Sequence, residues 1–355
     1  MAMNVRKVAR QLDLSPATIS KTMRGQSGEV SIETAKKVLA HCQQGGYITK
    51  AEATRIMMKM RTTKSRKQIF VLSCCRGVEV YDATFAGICE RLQDNRLYSS
   101  FYVANEPSSM AHFPYDQAGL VIVLGRVHKE AIEQFLAKNI AVVIVDNRIT
   151  NAPISAVNSD NLEGTLESTQ MLINLGHRRI AFMCLHEEKD VPTYTFQQRQ
   201  SGYMAALTNN GIQIDPSLMI VESGDTIKAQ RYELQEAVSD IRALAEKTLA
   251  INPLPTAVVT GNDLAAYVLH DLCKQKSIRV PEDISIVGYD GLHRLSNRPT
   301  GFDPVSTRVV KWQEIGIAAV DLALELFSGE NIPHKCMQIP TVYEDAGTVA
   351  KPRKN

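Results

Sequence analysis

No run in this 355-residue chain is apolar for long enough to span a bilayer, and its start carries no apolar signal core. Those two absences predict a soluble, cytoplasmic protein with no membrane partner. The seven cysteines (42, 74, 75, 89, 184, 273 and 336) show neither metal-ligand spacing nor the even count of a disulfide framework. Core thiols are therefore expected, and strand-end packing is preferred to a redox role for the adjacent Cys74 and Cys75. His177, in LGHRR, has no second ligand at metal spacing and is expected to close a helix-to-strand turn. G-x-S-x-G, H-E-x-x-H, Walker and G-x-G-x-x-G patterns are all missing, and the clustered polar residues are binding types without a nucleophile–base pair. An enzyme, a catalytic residue, a metal and an organic cofactor are all unexpected. Val342 to Asn355 hold no leucine heptad, so a coiled-coil tetramer is not expected.

What the chain does contain is concentrated at its start. Asn4 is placed to cap a helix over Val5 to Gln11, with Val8 and Leu12 on one face and Ala9 small enough for a close crossing. A turn at Leu12-Asp13-Leu14 follows, and Asp13 tolerates a left-handed backbone better than most residues. Ser15 and Pro16 restart the helix, the serine as cap and the proline at the first position, where its missing N–H costs nothing. Gly25 ends it. Ile19 and Met23 share the inner face, leaving Ala17, Ser20, Lys21 and Arg24 for the other. A third helix runs from the cap Ser31 through Ala35, Val38, Leu39 and Cys42 to Gly45-Gly46. Three short helices with an exposed, cationic second one describe a helix-turn-helix headpiece.

Charge is partitioned in the same way. Residues 1–67 hold fourteen Lys/Arg against four Asp/Glu and the rest hold 26 against 34, so a formal total of +2 conceals a basic arm on an acidic body. Such asymmetry is expected where one end of a protein meets polyphosphate; the plain alternative is a solvated basic helix pair.

The length calls for two or three domains. Strand-length apolar runs recur at Ile69–Leu72, Leu120–Leu124, Ala141–Val145, Ile180–Met183, Ala257–Val259 and Ile284–Val287. Amphipathic helical stretches fall at 83–96, 128–139, 161–175, 199–210, 229–250 and 263–276. Strands alternating with helices predict an α/β body of parallel sheets covered on both faces.

The headpiece pattern is joined by LGHRRIAFM (175–183), RQSGY (199–203), PTAVVTGNDLAA (255–266), RVPEDISIVGYDG (279–291), Pro304 to Thr307 and Glu314 to Gly316. Together these resemble the lactose-repressor/galactose-repressor family of transcription regulators nearly end to end. The resemblance implies an N-terminal all-α headpiece (1–47), a hinge helix and linker (48–67), and a two-lobed parallel α/β core like a periplasmic sugar-binding protein. Its first lobe would comprise 68–158 with 309–339, and its second 159–308 with 340–355. An effector is implied between the lobes. Ligands of open α/β sheets sit outside the carboxyl ends of the strands, and the motif-matched candidates there are Tyr81, Asp146, Arg199, Asn262 and Asp290.

On DNA, the family's base-reading positions fall on Pro16, Ala17 and Lys21: a lysine that can donate to guanine, and two apolar residues suited to thymine methyls. Asn4, Ser15, Arg24, Ser31 and Thr34 match backbone-contacting positions. Residues 48–60 match the hinge, which in the family folds into a minor-groove helix only when two protomers meet on an operator. Ile56 stands at its wedge position with Ala53 and Met57 beside it; a flexible basic linker is the alternative. The pattern breaks in several places. Thr49-Lys50 replaces Pro-Asn, Thr54 replaces Arg or Gln, Gly291 replaces a second aspartate, Glu344 to Thr348 replace R-x-S-T, and 226–252 is longer and more helical. The function implied is a repressor that binds a pseudo-palindromic double-stranded DNA operator as a homodimer and is controlled by a sugar or sugar derivative. The alternative is a small-molecule-binding protein with a weak or vestigial headpiece.

Overall fold

The computed structural model describes residues 4–26, 30–61, 68–73, 79–104, 107–125, 129–149, 154–186, 194–223, 234–295, 300–328 and 334–353. Cys74 and Cys75 lie outside the described residues, as do 226–233 of the segment expected to be unusually helical.

The headpiece opens with α1 (Val5–Leu12), α2 (Pro16–Met23) and α3 (Ile32–Gln44). Each starts on a side-chain cap: Asn4 Oδ1 accepts from Lys7 N at 3.2 Å, Ser15 Oγ from Thr18 N at 3.0 Å and Ser31 Oγ from Thr34 N at 3.1 Å. Asp13 takes the left-handed backbone at φ 52°, ψ 46° and turns the chain between the first two helices. Val8, Ala9, Ile19, Val38 and Cys42 form the small core these helices share.

A fourth helix, α4 (Lys50–Arg61), lies where a hinge helix or a flexible linker was expected. Thr49 and Glu52 form a reciprocal capping box at its start, and Ile56, Met57 and Met60 are buried against Ala35 and Leu39 of α3. Ile56 and Met57, expected at a wedge position, pack on protein here, because α3 offers an apolar face that water does not.

The body holds two six-stranded sheets. The first comprises β1 (Gln68–Ser73), β2 (Ser99–Val103), β3 (Ala118–Leu124), β4 (Ala141–Val145), β5 (Ser155–Ser159) and β11 (Cys336–Ile339), in the order β2-β1-β3-β4-β5-β11 with every pairing parallel. The second comprises β6 (Ile180–His186), β7 (Met219–Ser223), β8 (Ala257–Thr260), β9 (Ser285–Asp290), β10 (Thr307–Val309) and β12 (Val342–Glu344), in the order β7-β6-β8-β9-β10-β12, where only the β10–β12 pair is antiparallel. In each sheet the order reverses beside the first strand, at β1/β3 and at β6/β8. Such a reversal leaves a crevice at the carboxyl ends of the strands.

Helices cover both faces of each sheet. On the first sheet, α5 (Glu79–Asp94) and α11 (Trp312–Ser328) cover one face and α6 (Lys129–Ala137) the other. On the second, α9 (Leu234–Leu249) and α10 (Asp263–Gln275) lie on one face, and α7 (Asn161–Leu175) and α8 (Tyr194–Asn209) on the other. The α5–α11 crossing is close because it is lined by glycine. A Cβ at Gly316 would lie 2.1 Å from Thr84 O, and one at Gly87 2.1 Å from Gln313 O.

The chain passes between the sheets three times. β5 ends at Ser159 in the first sheet and α7 starts at Asn161 on the second. The return lies between β10 and α11, and Pro340 and Thr341 then carry the chain from β11 to β12.

Candidate functional site

Two surfaces carry the polar groups singled out in the sequence. At the headpiece, Pro16 and Ala17 are exposed at the start of α2, with Lys21 half-buried one turn further on. The oxygens of Asn4, Ser15 and Ser31 are engaged as helix caps, yet all three residues are exposed, so each marks an accessible helix N-terminus suited to a phosphate. Arg24 is exposed and turned back onto its helix, Nε donating to Ser20 O at 3.2 Å, and Thr34 is half-buried. Ala53 is half-buried and packs against the cluster that holds Ile56 and Met57.

Between the lobes the organising residue is Arg199 on α8, with 2% of its side chain exposed. Its Nε donates to Asn161 Oδ1 at 2.8 Å, Nη1 to Gly261 O at 2.5 Å and Nη2 to Asp290 Oδ1 at 2.9 Å. The guanidinium lies 3.9 Å from the Tyr289 ring centroid. At least three of its five N–H donors are thus taken by protein, so a ligand would meet a preorganised cation rather than an open fork. Burial works against this charge, but Asp290, Tyr289 and Asp146 outweigh it and hold the pKa above the ordinary arginine value. Burial raises the Asp290 carboxyl while Arg199 pulls it back. Asp290 has φ 118°, a backbone that non-glycine residues rarely adopt, and its carbonyl accepts from Trp312 Nε1 at 3.1 Å and Val310 N at 3.2 Å.

Asp146, also left-handed at φ 57°, follows β4 and reaches the opposite lobe: Thr195 Oγ1 donates to its carbonyl at 3.1 Å and lies 3.5 Å from Oδ1. Arg148 stands 5.7 Å from the Tyr194 ring centroid in a second contact across the same gap. Asn262 caps α10, with Oδ1 accepting from Ala265 N at 2.9 Å, so what it can offer a ligand is its amide NH2. Tyr81 is placed differently from the others. It is buried in the first lobe's core and its hydroxyl lies so close to Gly125 that a Cβ there would be 1.9 Å from it.

Sequence reasoning missed four members of this assembly: Asn161, Tyr289, Thr195 and Asp263. Asn161 holds Arg199 in place and could have been suspected from its position at a helix start. Asp263 is fully buried, accepting from Leu292 N at 2.8 Å and from the Thr307 hydroxyl. Burial, and then the charge of Asp290, push its pKa up to about 8. Burial thus favours the protonated form of Asp263 beside the ionised Asp290. His177 is buried in the α7–β6 turn, where Nε2 donates to Ala350 O at 2.8 Å and Nδ1 lies 2.9 Å from Thr256 Oγ1. Burial lowers its pKa, with the Ala350 bond opposing. Among the described residues no cluster of three or more His, Cys, Asp or Glu could hold a metal ion, and no helix is long and apolar enough to cross a membrane.

Residues 169–345 match the family model described as a periplasmic binding protein-like domain. Catabolite control protein A of Priestia megaterium is 27% identical over 348 residues, covering 96% of this chain and 97% of that protein. The ribose operon repressor of Haemophilus influenzae is 27% identical over 343 residues, with 92% of each chain covered. Among solved structures, a transcriptional regulator CelR–cellobiose complex aligns at TM-score 0.64 with 20% identity, covering 98% of this chain and 99% of that one. A regulator from Enterococcus faecium with bound ribose aligns at TM-score 0.64 and 19% identity over 81% of this chain and all of its own.

Proposed function

Because the chain belongs to the lactose-repressor/galactose-repressor family of transcriptional regulators, we propose that it is a homodimeric repressor whose operator affinity is set by a sugar or sugar derivative between the lobes. The observation that carries this reading is that one chain combines an exposed α2 N-terminus with a buried Arg199–Asp290 pair between two sheets. Pro16, Ala17 and Lys21 would read bases, while Asn4, Ser15, Arg24, Ser31 and Thr34 hold the phosphates. Asp146, Arg199, Asn262 and Asp290 are suited to a polyol, since carboxylates and amides pair with hydroxyls. Tyr81 would act from behind, by shaping the wall. Two protomers would place two headpieces on a palindrome.

Ligand binding controls DNA binding only through a difference in affinity between lobe arrangements. Asp146 and Arg148 on the first lobe meet Thr195 and Tyr194 on the second, so a ligand seated among them changes how tightly the lobes hold each other.

Selection from random duplexes is expected to recover a palindrome. A thermal-shift screen of sugars, sugar phosphates and nucleobases is expected to raise the Tm with a sugar-class compound that also changes operator affinity. Recovery of no palindrome would favour the second reading, a ligand-binding protein with a weak headpiece, which the burial of Ile56 and Met57 supports.

A further inference from the structure

Three passages carry the chain between the sheets, and all three are bonded to Tyr289 or to Asp290 beside it. The Tyr289 hydroxyl donates to Asp160 O at 3.0 Å in the first passage, with the side chains of Ser159 and Thr341 alongside. Thr341 belongs to the third passage, which Asp160 N joins by donating to Ile339 O at 2.9 Å. The second passage is held by the Asp290 carbonyl, which accepts from Val310 N and from the Trp312 indole. Although Tyr289 lies on β9 of the second sheet, it packs in the first lobe's core with Val310 and Trp312. α7 leaves room for the hydroxyl: a Cβ at Gly164 would lie 2.7 Å from it and 2.7 Å from Thr341 Oγ1.

The first passage also supports the cation of the cleft. Asn161 Oδ1, which accepts from Arg199 Nε, accepts from Ser159 Oγ as well, at 3.0 Å. Residues 159–161 thus hold both the head of Arg199 and the hydroxyl of Tyr289, whose ring centroid lies 3.9 Å from the same guanidinium. We infer that Tyr289 is the positioning residue that makes the Arg199–Asp290 pair and the three passages one joint. Its ring faces the guanidinium, its hydroxyl fixes the first and third passages, and the carbonyl that follows it fixes the second. A ligand that engages the pair then acts on the passages directly, without contact at the cleft rim. The joint belongs to the chain itself, whereas its use in a ligand response rests on the regulator reading.

Trp312 is the one tryptophan of the sequence, so its indole N–H gives a single resonance that reports the second passage. Tyr289→Phe keeps the ring and leaves Asp160 O without its donor. In the full-length protein this variant is expected to speed solvent exchange of the Trp312 indole N–H and of the Asp160 amide by roughly fivefold. Gly164→Ala, which crowds the hydroxyl but keeps Tyr289, is expected to accelerate the same two sites. Tyr203→Phe removes another buried hydroxyl, bonded to Ile180 O at 2.9 Å in the second lobe, and is expected to leave the indole rate unchanged. Acceleration at Asp160 alone would make the hydroxyl a local contact, and an equal effect of Tyr203→Phe would make the change one of general stability. Either result overturns the proposal, as do wild-type rates in Tyr289→Phe. Failure of the operator selection and the ligand screen would remove the regulator reading and leave these rates to decide the joint.

Discussion

Arg199 and Lys21 set the two residue-scale tests, and they differ in kind. Arg199 is buried and paired, so truncating it leaves the Asp290 carboxylate without its partner. Arg199→Met is expected to cost about 3–5 kcal/mol in urea unfolding, and Arg199→Met/Asp290→Leu to recover most of that loss while remaining unresponsive to the sugar-class ligand. If the single variant is as stable as wild type, the pair does not organise the site. Lys21 acts outward. Lys21→Ala is expected to relax discrimination at a single operator position by about 1–3 kcal/mol. An equal loss of affinity on every duplex would instead make Lys21 a phosphate contact. Asp146 and Asp290 both take left-handed backbones beside the cleft, the kind of position where a fold retains strain for a function.

At the scale of elements, close contact between helices rests on missing side chains. α5 and α11 approach until the backbone of each meets a glycine of the other, Gly316 against Thr84 O and Gly87 against Gln313 O. Gly316→Ala is expected to push the pair apart at a cost of about 1–3 kcal/mol in chemical denaturation, because the obstructing atom is backbone and cannot swing away. A neutral result would mean that the crossing tolerates a wider spacing.

For the whole molecule, His177 ties the second lobe to the C-terminal segment and makes acid stability legible. Burial lowers its folded pKa below the unfolded value of about 6.5, so the unfolded chain takes up the proton first. The neutral imidazole's contribution is complete above that unfolded value and declines as pH falls towards the folded one. Wild-type Tm is expected to fall between pH 7 and 5 with a steeper slope than that of His177→Gln; equal slopes would place the acid sensitivity elsewhere.

The helix-turn-helix arm, the alternation of strands with helices and the six most apolar strands were determined by sequence alone. β1, β3, β4, β6, β8 and β9 are buried on both faces and had to be continuous apolar runs. Edge strands such as β2, β7, β11 and β12 are half-exposed and mixed in composition, and so carry no such signature. β5 hides for the opposite reason: Ser155, Asn158 and Ser159 are buried but polar, and Ser159 is bonded to Asn161 at the first passage between sheets. What only the tertiary structure decided is which distant residues meet. Arg199 lies 38 positions from Asn161 and 91 from Asp290, separations at which no local periodicity reports a contact. Ile56 and Met57 were legible as an apolar pair in a basic helix, but their packing on α3 depends on which apolar surface lies within reach, and that is a property of the fold.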